Sequence, residues 1–169
     1  MKDGKFFILF VCSGNSCRSP MAEGLLKNKL PKALEEKTIV QSAGTLGING
    51  APATEYAIKA ADEHGADISG HTSQGLTDEL SRTADVIFVM SHEHRSFFEH
   101  YMPDFRENVF LLKTFGVATE DVDEDSIPDP VGHSLAVYRE CCETIDTELE
   151  RILPRLVQMI KEKLGLSAT

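Results

Sequence analysis

The sequence predicts an α/β fold: a three-layer arrangement in which a four-stranded, parallel, doubly wound sheet is flanked by helices. Three observations predict it. Four short apolar runs, residues 6–11, 38–43, 85–90 and 109–112, alternate with stretches whose apolar residues recur at helical spacing. The first run, Phe6 to Val11, is apolar without alternation, as expected of a parallel strand buried on both faces. No internal repeat, linker or composition break interrupts the pattern. Residues 1–169 therefore read as one domain, long enough to bury a proper core.

Each element has its own signal. After the first strand, Ser13, Gly14, Asn15 and Ser16 are small and turn-prone, and Arg18, Ser19 and Pro20 open a helix. Pro20 suits a first helical turn, where its missing N–H costs nothing. Met21, Leu25, Leu26 and Leu30 continue that helix and Pro31 ends it. Residues 38–43 form the second strand, followed by a glycine-rich loop from Gly44 to Pro52. A helix over residues 53–64 carries Ala57, Ile58 and Ala61 on one face, and Gly65 closes it. The segment from Asp67 to Gly75 is polar and irregular. A short helix over 77–82 precedes the third strand, and 92–101 reads as helix before the fourth. An acidic loop from Glu120 to Asp129 leads to a long amphipathic helix from Ser134 to Leu164, which Pro154 is expected to kink or break.

Composition narrows the partners. Net charge is −10 with a pI near 5.0, which argues against nucleic acid or an anionic membrane. No apolar stretch reaches membrane-spanning length, and the N-terminal residues show no signal-peptide cleavage pattern. Four cysteines without framework spacing fit a reducing cytoplasm. Adjacent Cys141 and Cys142 make a poor chelate, and His92 and His94, two apart on a helix, point to different sides. No metal or cofactor is expected.

The chemistry concentrates at Cys12-x5-Arg18. A loop that ends at a helix N-terminus presents backbone N–H groups and partial positive charge to an anion. Gly14 and Asn15 tolerate left-handed backbone, which curls successive N–H groups into a nest. A thiol at its mouth is favoured as the thiolate, and Arg18 offers a planar fork for two oxyanion oxygens. Such a loop holds a tetrahedral dianion with sulfur against its central atom, as in-line phosphoryl transfer to Cys12 requires. Ser19 is placed to donate a hydrogen bond to the thiolate and improve it as a leaving group. By itself Cys-x5-Arg leaves a buried cysteine and a surface arginine equally acceptable. The preceding strand, the Gly-Asn loop and the Ser-Pro helix start favour the chemical reading.

The run from Val11 to Pro20, Val-Cys-Ser-Gly-Asn-Ser-Cys-Arg-Ser-Pro, resembles the signature of the low-molecular-weight protein tyrosine phosphatases, a family that also includes protein-arginine phosphatases and thioredoxin-coupled arsenate reductases. The resemblance implies Cys12 as nucleophile, Arg18 as phosphate ligand, and Ser13, Gly14, Asn15, Ser16, Cys17 and Ser19 as the phosphate-binding loop. It implies Asp129, in Asp129-Pro130, as the acid that protonates the leaving atom and the base that then activates water. Without it, Asp129 is one carboxylate in an acidic loop. It also implies that Asn15, Ser19, Ser42 and His71 brace the loop; otherwise Ser42 is a strand-end hydroxyl and His71 a loop imidazole. Cys17 matches the family's neighbouring cysteine, which implies a reversible Cys12–Cys17 disulfide; a small buried side chain is the equal alternative. The expectation is a cytoplasmic phosphatase of phosphorylated protein, a monomer or weak dimer, working without metal or cofactor.

The phosphorylated residue is the finer question. Phosphotyrosine is the first expectation and phosphoarginine the close alternative. Tyrosine-specific members carry aromatics after Asp-Pro and a bulky aliphatic residue at the Ser16 position; here Val131, Gly132 and Ser16 stand there. The arginine branch resembles this chain at Ser16, at Asp-Pro-x-Gly and near Ser91-His92-Glu93-His94, and departs from it at Val131. Arsenate reduction, the third reading, requires a cysteine relay near residues 82–90, where there is none. A phosphate-binding module without chemistry is the non-enzyme reading; retention of both Cys12 and Asp129 speaks against it.

Overall fold

The computed structural model describes residues 3–117 and 125–167. Four strands, β1 (Phe6–Cys12), β2 (Thr38–Gly44), β3 (Val86–Val89) and β4 (Val109–Leu111), pair in parallel in the order β2-β1-β3-β4. The expected four-stranded parallel sheet is therefore present. Helices α1 (Arg18–Lys29), α2 (Lys32–Glu35), α3 (Glu55–Glu63), α4 (Asp78–Thr83), α5 (His92–Tyr101) and α6 (Leu135–Lys163) connect and cover it. A 3-10 helix, Pro103–Asn108, leads into β4.

Every residue of β1 is buried, and its side chains divide between two cores. Phe6, Ile8, Phe10 and Cys12 face the layer that contains Met21, Leu25 and Leu26 of α1, Ala57 and Ala61 of α3 and the buried stripe of α6. Phe7, Leu9 and Val11 face the opposite layer with Phe98 of α5. This strict alternation is why a continuous apolar run is required in the central strand. The chain winds from β1 out to β2, then crosses to β3 on the other side. The crevice beyond the carboxyl end of β1 is the switch point where such sheets bind ligands, and Cys12 is the last residue of β1.

Besides shifts of a residue at several element ends, three features differ from the sequence reading. The third strand begins at Val86 because the Asp85 carboxylate turns aside to accept the Phe7 N–H at 2.7 Å. Helix α3 begins at Glu55 because the Thr54 hydroxyl accepts the Ala57 N–H and caps it. Helix α6 runs through Pro154 without a break. Proline inside a helix costs about 3 kcal/mol, but Tyr138, Cys142, Ile145, Leu149 and Ile152 before it and Leu156 and Ile160 after it form one buried stripe that keeps both halves in register. Residues 118–124, which include the first half of the acidic loop, lie outside the described residues.

Candidate active site

The loop between β1 and α1 is built around Asn15. It takes a left-handed φ of 54°, while Gly14 does not take positive φ. The tight turn expected of both residues is thus made by Asn15 alone, with side-chain bonds that hold it there. Its side chain is fully buried. Oδ1 accepts the Gln74 N–H at 2.9 Å, and Nδ2 donates to Ser19 Oγ and Ser42 Oγ, both at 2.9 Å. The Asn15 carbonyl lies 2.8 Å from His71 Nε2. Ser42 passes its own hydrogen to Glu23 Oε1 at 2.9 Å. Asn15, Ser19, Ser42 and His71 are therefore brought together around one turn.

This network sets the polarity at sulfur. Ser19 Oγ accepts from Asn15 and lies 2.9 Å from Cys12 Sγ, which leaves its hydroxyl hydrogen available to a Cys12 thiolate. Cys17 occupies the N-cap of α1 but makes no capping side-chain bond. The first-turn N–H groups consequently remain oriented toward the loop, as an anion site requires.

Arg18 is 4% exposed, unusual for arginine outside a site that fixes it. Nη1 donates to the Ile127 carbonyl at 2.9 Å, and Nη2 lies 3.5 Å from both Ser13 Oγ and Asp129 Oδ2. Asp129 Oδ1 accepts the Val131 N–H at 3.1 Å, which orients the carboxylate. Cys12, Ser13, Gly14, Ser16, Cys17 and Arg18 form the floor of a cleft of about 230 Å³, and Leu46, Ile48, Asp129 and Val131 form its walls. A larger groove beside β2, lined by Phe7, Ile39, Gln74 and Leu80 among others, contains none of the candidate catalytic groups.

A buried thiol, a buried guanidinium and a half-exposed carboxylate thus share one small cleft at the end of β1, and the comparison with known proteins extends over nearly the whole chain. Residues 7–164 match the family of low molecular weight phosphotyrosine protein phosphatases. The chain belongs to that family. It is 34% identical over 155 residues to a protein-arginine-phosphatase of Bacillus subtilis, covering 92% of this chain and 97% of the relative. It is 35% identical over 149 residues to the probable low molecular weight protein-tyrosine-phosphatase EpsP of Ralstonia nicotianae, covering 88% and 94%. The structure of the YwlE arginine phosphatase from Geobacillus stearothermophilus superposes with a TM-score of 0.81 at 33% identity, covering 93% of this chain and 96% of that one. The expected cysteine-dependent phosphoprotein phosphatase is borne out at the level of the family. Identity alone does not separate the tyrosine and arginine branches.

Within this family fold, two contributors escaped the sequence reading. Gly44 lets β2 approach the loop: a Cβ there would lie 2.5 Å from the Ser13 carbonyl and 3.0 Å from the Asn15 nitrogen. The N–H groups of Thr45 and Leu46 then bond the Cys12 and Ser13 carbonyls, each at 3.0 Å. His94 is the other. It is fully buried, and its Nε2 lies 2.9 Å from Ser13 Oγ. The sequence pairs it with His92 as a candidate metal ligand; His92 is instead exposed and pairs with Asp125. Neither contributor had a local signal, because both partners lie far away in sequence.

The remaining cysteines differ in kind. Cys17 Sγ sits 3.4 Å from Thr54 Oγ1 and 3.5 Å from the Tyr138 hydroxyl. Cys141 and Cys142 are buried, and burial pushes both thiols up to about 12, so they remain neutral core residues. No helix among the described residues is long and apolar enough to cross a membrane.

Proposed function

We propose that the chain hydrolyses phosphorylated protein side chains through a cysteinyl-phosphate on Cys12. The observation that carries the proposal is the Cys12 sulfur on the Ser19 hydroxyl at 2.9 Å, with Arg18 and Asp129 converging on the same cleft. In the first step the thiolate attacks phosphorus in line. The bond to the leaving oxygen or nitrogen breaks, and Asp129 gives that atom its proton. Arg18 and the loop N–H groups of residues 13–18 hold the phosphoryl oxygens. In the second step Asp129 takes a proton from water, the hydroxide attacks phosphorus, and sulfur leaves as a thiolate held by Ser19. Asn15, Ser42 and His71 maintain the loop geometry. One domain carries the reaction, with protein groups alone.

For the phosphorylated residue, two readings each have a supporting observation. Phosphotyrosine fits apolar walls: Leu46, Ile48 and Val131 flank the opening, with exposures of 66%, 45% and 54%, and these aliphatic surfaces can enclose a ring. Phosphoarginine fits the polar floor: Ser16 is small, no aromatic side chain lines the cleft among the described residues, and the Asp129 carboxylate can pair with a guanidinium. Paired turnover of phosphotyrosine and phosphoarginine peptides separates them, with Cys12→Ser as an inert blank. Preference for phosphotyrosine supports the apolar walls. Preference for phosphoarginine supports Ser16, and Ser16→Ile should then reverse it. Turnover retained in Cys12→Ser would overturn the mechanism itself.

A further inference from the structure

Among the described residues His94 is the one fully buried histidine, and the two chemical steps above make no use of it. It stands in the first turn of α5 beside Arg18 and Asp129, the charged groups that act on it. Burial first, and the Arg18 charge second, push it down to about 4 against the opposing influence of Asp129. The ring is therefore neutral at ordinary pH, and its hydrogen bonds define where its single N–H resides.

Nδ1 lies 3.2 Å from the Ser91 backbone nitrogen, a group that can only donate, and 3.0 Å from Ser91 Oγ. Nδ1 must therefore be the bare, accepting nitrogen, and the proton sits on Nε2. Nε2 is 2.9 Å from Ser13 Oγ and donates to it. Arg18 Nη2, also only a donor, approaches the same oxygen at 3.5 Å. Ser13 Oγ thus receives hydrogens from two sides. Its own hydrogen must be sent elsewhere, and Ser13 is a half-buried part of the cleft floor beside Cys12.

We propose that His94 is a positioning residue: locked with its proton on Nε2, it holds the Ser13 hydroxyl as a hydrogen-bond donor to an oxygen of the phosphoryl group transferred through Cys12. This rests on the cysteinyl-phosphate reading and adds to the backbone nest a side-chain donor whose direction is imposed from β3–α5, 81 residues away in sequence. A donor already oriented when charge develops lowers the barrier without reorganisation.

Two measurements on the full-length protein test it. Nitrogen-resolved NMR of His94 needs no turnover. Protonation on Nε2 with bare Nδ1, from about pH 5.5 to about 8, is expected; a proton on Nδ1, or a charged ring at neutral pH, overturns the proposal. Kinetics use para-nitrophenyl phosphate as probe. Ser13→Ala is expected to lower kcat by about 10- to 100-fold with KM little changed, and Ser13→Thr to retain most activity. His94→Phe is expected to cause a similar loss, and the double variant to lose no more than Ser13→Ala alone, because one acts through the other. Losses that multiply overturn the proposal, since His94 would then act on the fold and not through Ser13. If His94→Phe does not fold, unchanged kcat in Ser13→Ala overturns it by itself. A wild-type chain inert toward every phosphate substrate would instead defeat the phosphatase reading, a different outcome from either.

Discussion

The two loops that meet at the cleft are held in contrasting ways. The loop after β1 is buried and tied from several directions: Asn15 alone engages Gln74, Ser19, Ser42 and His71, and Gly44 lets the neighbouring strand bond the Cys12 and Ser13 carbonyls. The loop carrying Asp129 is fixed at its root. Ile127 is fully buried, donates to the Met90 carbonyl at 2.8 Å and accepts from Arg18. Beyond that anchor the Asp129 side chain is 46% exposed and Val131 54% exposed. The difference suits the two tasks proposed above, Cys12 as nucleophile and Asp129 as acid. Sulfur must meet phosphorus along one line, where small displacements are costly. A proton donor must serve leaving groups of different shape, and a half-exposed carboxylate on an anchored but open loop can do so. Arg18 joins the two, since it bonds the root of one loop and begins the helix that ends the other.

Substitutions on either side sharpen this contrast. Asp129→Ala should have the largest effect on rate without one on the fold. A loss of about 10²- to 10⁴-fold in kcat is expected on peptide substrates, with a melting temperature close to wild type because the side chain is half-exposed. A melting temperature that falls steeply would show the acid loop to be structural as well. Asn15→Ala should act on both fold and rate. It leaves buried partners unpaired, about 1–3 kcal/mol, and places a side chain lacking those bonds in left-handed backbone, about 1–2 kcal/mol. Denaturant unfolding should record a loss of a few kcal/mol; a stability within about 0.5 kcal/mol of wild type would mean that the network does not brace the turn. The smallest effect belongs to Val131→Ala, within about 0.5 kcal/mol in stability as for other exposed positions, with a change in KM as its main consequence. An unchanged KM would remove Val131 from the substrate wall.

Legibility from sequence follows the same division. Strands, helices and the strand–loop–helix unit were readable because apolar periodicity and turn residues are local signals, and β1 with its flanking loop lies within one short stretch. The resemblance supplied Ser42 and His71, which lie near Asn15 only because the sheet is parallel and α1 crosses over it. Gly44 was not readable as a contact, because its lack of Cβ matters only against the backbone of residues 13 and 15. The sequence presents His94 as a discounted metal ligand and as part of the Ser91-His92-Glu93-His94 resemblance, but not as a partner of Ser13, which lies in another crossover unit. Local backbone chemistry marks Pro154 as a helix breaker; the packed stripe of α6 overrides it.

Chemical trapping tests the central claim most directly. In Asp129→Ala with para-nitrophenyl phosphate, the leaving group departs without needing a proton, whereas water must still be activated. The cysteinyl-phosphate should therefore accumulate, and rapid acid quench followed by peptide mass spectrometry should find phosphate on the peptide containing Cys12. Release of nitrophenol by this variant with no phosphate on Cys12 at any time would contradict the account.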